Sequence, residues 1–99
     1  MIHTVYFWLD PLTEDADHQS FIEGCKSLAK APTVQRFTSG KPAGTKERDV
    51  TDHSFDYSIQ LTFASVADHD AYQSSDVHLK FVDEHSHKFA VVKVFDSES

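Results

Sequence analysis

The sequence has a single cysteine, Cys25, and so no internal disulfide. Nothing in it calls for an oxidising compartment. Basic residues are also scarce. Nine Lys and Arg stand against sixteen Asp and Glu, a net charge of −7. Phosphate backbones and anionic lipids are held by clustered cations, so nucleic acid and membrane surfaces are excluded as partners. No apolar run approaches the ~20 residues of a membrane span. The opening MIHTVYFWLD lacks the basic start and small-residue cleavage site of a secretory leader. A cytoplasmic location is the expectation. No serine nucleophile elbow is present, and the three glycines form no phosphate or dinucleotide fingerprint. Any chemistry here is therefore acid–base work on a bound organic molecule, with no cofactor.

What is present is a chain of 99 residues with eight Phe, three Tyr and one Trp. That is the length of one domain, residues 1–99, with enough aromatic volume for a core. A chain this short buries only roughly 60–70% of its unfolded surface, which makes oligomerisation a natural source of further burial.

Ile2–Leu9 is β-branched, aromatic and apolar, and Asp10-Pro11 closes it, so it reads as a strand. Alternation puts His3, Val5, Phe7 and Leu9 on one face and Ile2, Thr4, Tyr6 and Trp8 on the other. Both faces are largely apolar, so both call for a cover. Thr13 is the expected cap of a helix with Glu14, Asp15 and Asp17 in its first turn. Phe21, Cys25 and Leu28 make its apolar stripe, widened by Ile22 and Ala29, and Pro32 stops it. On such a stripe Cys25 reads as a buried thiol. Val34–Thr38 is a second strand, and Gly40–Asp52 a polar, solvated hairpin connection. Phe55–Phe63 alternates, with Phe55, Tyr57, Ile59, Leu61 and Phe63 on one face. Ser65 with Asp68 resembles a capping box. Ser74 or Ser75 caps a second short helix carrying His78, Phe81, Val82 and His85 on one side. Phe89–Phe95 is the last strand, with Phe89, Val91, Lys93 and Phe95 on one face and Ala90, Val92 and Val94 on the other.

The order β-α-β-β-α-β, with the second helical region broken in two, is the α+β ferredoxin-like pattern of a four-stranded antiparallel sheet with helices on one face. The helix-free face keeps Ile2, Tyr6 and Trp8. Wetting it would expose an apolar patch that monomers avoid. Sheet-to-sheet homodimerisation is the expected cover.

Two candidate chemical groups lie in Asp70–Phe81, DAYQSSDVHLKF, where Tyr72 and His78 stand six residues apart. His78, with an ordinary pKa of roughly 6.5, suits a general base. The Tyr72 hydroxyl suits a developing enolate or carbonyl oxygen. The other reading is that both satisfy backbone groups at a helix junction. His3 shares the helix-covered face. Among the other histidines, His85 and His87 point to different sides of a helix and lack the i, i+4 pairing of a helical zinc site, so no metal is expected. His18, His53 and His69 are expected on the surface.

In family order, the chain carries His3-Thr-Val5-Tyr-Phe7 opening the first strand, Pro32 before the second strand and Gly40 after it. Leu61-Thr-Phe63 followed by Ser65, the Tyr72-to-His78 spacing followed by Phe81, and Val94-Phe95-Asp96 complete the set. In these features it resembles the stress-responsive dimeric α/β-barrel (Dabb) proteins. The resemblance implies a homodimeric α/β barrel with a cavity between each sheet and its own helices. In a plant polyketide cyclase of that family, which makes olivetolic acid by aldol condensation without a cofactor, a strand-one His and a Tyr/His pair at this spacing line the active site. Here those positions are His3, Tyr72 and His78. The implied cavity wall is Val5, Phe7, Phe21, Cys25, Ile59, Phe81, Phe89, Val92 and Val94. Asp76 stands where family members often carry Pro.

The function expected is a Dabb-type protein holding a small, partly apolar ligand between sheet and helices. One alternative is a cofactor-independent, cyclase-like or monooxygenase-like enzyme using His78, Tyr72 and His3. The other is a structural stress oligomer with a closed cavity.

Overall fold

The computed structural model describes residues 1–99. Its strands are β1 (Ile2–Leu9), β2 (Arg36–Gly40), β3 (Tyr57–Thr62) and β4 (Phe89–Ser97). Helix α1 (Asp15–Ser27) joins β1 to β2, and α2 (Val66–Gln73) and α3 (Asp76–His85) join β3 to β4. The sheet order is β2-β3-β1-β4, antiparallel throughout. This is the ferredoxin-like α+β topology.

Alternation in β1 works as expected: His3, Val5, Phe7 and Leu9 are buried beneath the helices. Val5, Phe7 and Leu9 join a core with Tyr57, Ile59, Leu61 and Phe63 from β3 and its end, Phe21 and Cys25 from α1, and Leu28 just after it; His3 packs edge-on to Phe63. The helix starts differ in detail. Glu14, not Thr13, is the N-cap of α1, and it makes no side-chain cap bond. The chain turns first, where Thr13 N–H donates to the Asp10 carbonyl. Ser65 and Ser75 do cap α2 and α3, accepting from the amides of Asp68 and His78.

Three side-chain placements depart from the simple patterns. Ala29 is exposed, because α1 tightens into a 3₁₀ turn at Leu28–Lys30 and its register rotates. β2 starts two residues late, after Thr33 takes φ 73° with its hydroxyl donating to the Asp68 carbonyl of α2. Phe55 lies ahead of β3 and packs on Tyr6 and Trp8, so it belongs to the helix-free face. Asp56 anchors that change: its amide donates to the Phe7 carbonyl and its carboxylate accepts from Leu9 N–H at 2.7 Å.

A β-bulge matters most for the site. The β1–β4 register runs His3 to Asp96, Val5 to Val94, Phe7 to Val92 and Trp8 to Val91, then Leu9 to Phe89. One residue of β4, Ala90, is left over. The slip moves Phe89 from the face of Val91 and Phe95 to the face of Val92 and Val94.

Candidate functional site

Between the sheet and α2–α3 lies a cavity of about 170 Å³. His3, Tyr72 and His78 form its polar end, with Gln73 beside them. Val5, Phe7, Ile59, Phe81 and Phe89 wall it, together with Leu28. Its mouth is apolar: Val82, Val92 and Val94 are 38%, 41% and 49% exposed. Two expected wall residues do not line it. Phe21 and Cys25 are fully buried and sit deeper, where Phe21 fills the space against Phe7, Tyr57 and Phe89. Burial raises the Cys25 thiol to about 12, which keeps it protonated and inert.

Short local rules place the polar end. The Ser75 hydroxyl donates to the Tyr72 carbonyl at 2.7 Å and accepts from His78 N–H at 3.3 Å. One serine thus ends α2 and starts α3, and the turn between them sets Tyr72 against His78, ring centroids 4.9 Å apart. Tyr72 also packs edge-on to His3 at 6.1 Å. The three expected site residues are therefore neighbours.

Two further residues join them. His69, expected on the surface, has a side chain only 13% exposed. Its ring lies 4.7 Å from that of His3 and 6.4 Å from Tyr72. The cause is helical: His69 and Tyr72 are i, i+3 on α2 and share a face. Asp96 accepts from His3 Nδ1 at 2.5 Å in the tautomer that carries hydrogen there. It stands opposite His3 in the ladder, two residues beyond Val94 on the same face.

The electrostatics favour neutral groups. Burial lowers the His78 pKa; the nearby Gln73 backbone opposes the shift, while His3 and His69 add to it. Burial likewise lowers His3, against the hydrogen bond and charge of Asp96. Burial, with the neighbouring Cys25, raises Tyr72, so its phenol stays a donor. His78 Nδ1 is buried and has no hydrogen-bond partner. The arrangement offers a neutral imidazole, a phenol and a carboxylate-linked imidazole at the end of an apolar hole.

An antiparallel four-stranded sheet in the order β2-β3-β1-β4, with all helices on one face, defines a class: α+β domains of the ferredoxin-like fold. Within it, the model of the stress responsive A/B barrel domain (Dabb) matches residues 1–99, and the chain belongs to that family. No curated protein matches it in sequence. Among solved structures it is similar to a protein from Arabidopsis thaliana (16% identity, TM-score 0.80, covering 99% of this chain and 93% of that one). It is also similar to the hydroxynitrile lyase of Passiflora edulis (23%, 0.79, 95% and 87%). A third is a dimeric ferredoxin-like protein of unknown function from Thermobifida fusca (15%, 0.77, 95% and 85%). At these identities the structural likeness speaks for the fold. No helix is long and apolar enough to cross a membrane.

Proposed function

We propose that the cavity binds a small organic molecule, about one aromatic ring in size, with its oxygen against His3, Tyr72 and His78. The observation that carries this is the buried, partnerless Nδ1 of His78, a residue that lines the polar end of this cavity beside His3, Tyr72 and Gln73. Buried polar atoms normally find a partner, and each exception asks for an explanation. A ligand hydroxyl or carbonyl supplies one. The size follows from the volume, since an apolar cavity of about 150 Å³ accepts benzene. The test is thermal denaturation with phenol, benzaldehyde and benzyl alcohol as probes. At a hundredfold excess over Kd a probe adds about 2.7 kcal/mol, a plain rise in Tm. His78→Ala is expected to lose most of that rise. If no probe raises Tm, or the variant responds like the parent, the reading fails.

A second reading adds catalysis. The adjacency of Tyr72 and His78 favours it: one group takes a proton while the other holds the oxygen. The same pair would serve a cyclase-like step at a carbonyl or a lyase acting on a hydroxynitrile, the class of the Passiflora neighbour. With an aromatic hydroxynitrile the hydroxyl gives up its proton, the bond to the nitrile carbon breaks and cyanide leaves with a proton. Release of aldehyde and hydrogen cyanide in equal amounts is therefore expected from the parent, and a loss of about 10²–10⁴-fold in His78→Ala. Binding without turnover leaves the first reading standing and removes this one.

We also infer a homodimer through the helix-free face, where Tyr6, Trp8, Phe55 and Phe95 surround a hollow. The bare chain exposes 6459 Å². A folded monomer of this mass exposes about 5,700 Å². The excess is close to the roughly 800 Å² each partner buries in a standard interface.

A further inference from the structure

His3, His69 and Asp96 come from β1, α2 and β4, three elements distant in sequence. One donor atom from each lies within 4.8 Å of one from each of the others. The two imidazoles are nearly closed off, with side chains 5% and 13% exposed, while Asp96 at 42% faces solvent. The readings above use His3 but give His69 no task. We propose that these three side chains form a binding site for a first-row divalent cation of the zinc type.

The donor set selects the class. Two imidazoles and one carboxylate suit Zn²⁺, Co²⁺ or Fe²⁺, whereas Mg²⁺ and Ca²⁺ take oxygen ligands almost exclusively. Metal–nitrogen and metal–oxygen bonds of about 2.0–2.2 Å require ligand atoms closer together than the widest separation seen here. Asp96 is the ligand freest to adjust: it is exposed, on the edge strand, one residue from the end of β4, and its bond to His3 Nδ1 would give way to the cation. Outer support is also present. His69 is held at both nitrogens, Nδ1 lying 3.0 Å from Asp70 Oδ1 and Nε2 3.3 Å from Gln73 Nε2. The cation takes one nitrogen and the contact at the other keeps the ring oriented, as partners of metal-bound histidines generally do. Three protein ligands leave a coordination position for water or another molecule. Asp96 is the solvent-facing member of the cluster, so entry is from its side.

The experiment is a titration of the untagged full chain with Co²⁺, followed by visible absorption and calorimetry, then competition with Zn²⁺. One Co²⁺ per chain is expected, with the d–d bands of a low-coordinate nitrogen–oxygen site, displaced by Zn²⁺. Asp96→Asn and His69→Gln are each expected to weaken binding by at least about tenfold. His53→Gln and His87→Gln, away from the cluster, are expected to bind like the parent. Asp96 is exposed, so its variant should fold; far-UV circular dichroism without metal checks both. His78→Ala, which removes the contact proposed for the organic ligand, is expected to keep full Co²⁺ affinity, so the two proposals can fail separately. Absence of binding at millimolar Co²⁺ overturns the site. So does equal binding by folded Asp96→Asn and His69→Gln, or a loss confined to His87→Gln.

Discussion

His85 is buried and meets an ammonium. Lys88 Nζ lies 3.0 Å from His85 Nδ1 and donates to the Asp17 carbonyl at 3.2 Å. An ammonium only donates, so Nδ1 accepts and the ring is neutral with its hydrogen on Nε2. Burial, then Lys88, lowers the His85 pKa against the pull of Glu84. His3 and His78 are lowered as well, chiefly by burial. The sign is the same for all three. The unfolded chain takes up protons first, as pH drops below about 6.5, so stability present above that value is lost through the folded pKa values. Urea denaturation should therefore show a midpoint that falls between neutral and mildly acidic pH. His85→Gln, which keeps an acceptor for Lys88 but cannot titrate, should flatten part of that fall. A second check is direct: Lys88→Met should raise the His85 pKa, read by NMR. At this scale the sequence was only partly legible. The Tyr72–His78 pair stood out as two chemical residue types in one short stretch. His69 and Asp96 carried fainter signals, an i+3 offset from Tyr72 and a period of two from Val94. Phe21 and Cys25 misled for a physical reason: a stripe residue is buried whether it faces a cavity or fills the core behind it.

Helix α3 approaches α1 closely at Gly24, where α1 has no side chain. A β-carbon at Gly24 would fall 2.3 Å from His85 Nε2 and 2.7 Å from its Cδ2. The ring cannot swing aside freely, because Lys88 holds its other edge. Gly24→Ala therefore sets two effects against each other. Helix propensity gains about 1 kcal/mol; overpacking costs about 1–3 kcal/mol. A net loss is expected in the parent. In a His85→Ala background the clash is gone, and the same Gly24→Ala should stabilise. Chemical denaturation of the four-member cycle reads that reversal, and a loss of equal size in both backgrounds would refute the contact. The α2–α3 junction makes a similar test of a cap. Ser75→Ala removes the side-chain acceptor of α3 and should cost about 1 kcal/mol, with a visible change in His78 ring shifts. Periodicity revealed these elements because each buries one face. It could not reveal the bulge at Ala90, since an extra residue in a strand leaves the local apolar pattern intact and changes only the pairing across the ladder.

The whole molecule is a slab, 35 × 31 × 17 Å, with a radius of gyration of 13.8 Å, where a compact chain of this length would have about 12.6 Å. One layer of helices on one sheet leaves the other face bare. β1 announced this arrangement in its sequence, because both of its faces are apolar and only one can meet the helices. The topology was legible for the same reason that the partner's identity was not: hydrophobic patterning says that a face must be covered, and only packing says by what. On the bare face Phe95 is 61% exposed and sets its ring against Tyr6 at 6.0 Å. Lys93 lies over Trp8 at 5.4 Å. If two copies pair there, each aromatic cluster is desolvated by its symmetry mate. Phe95→Glu then buries two uncompensated carboxylates per dimer, a cost large enough to separate the subunits. Light scattering after size exclusion should give a dimer for the parent at micromolar concentration and a monomer for Phe95→Glu, with helix and strand content kept. Leu79→Glu, equally drastic but on the helical side, should stay dimeric. The parent's Tm should also rise with protein concentration while that of Phe95→Glu does not. A parent that runs as a monomer, or a Phe95→Glu variant that still pairs, would show that the apolar sheet face is tolerated wet and that the excess area belongs to the shape of a single thin chain.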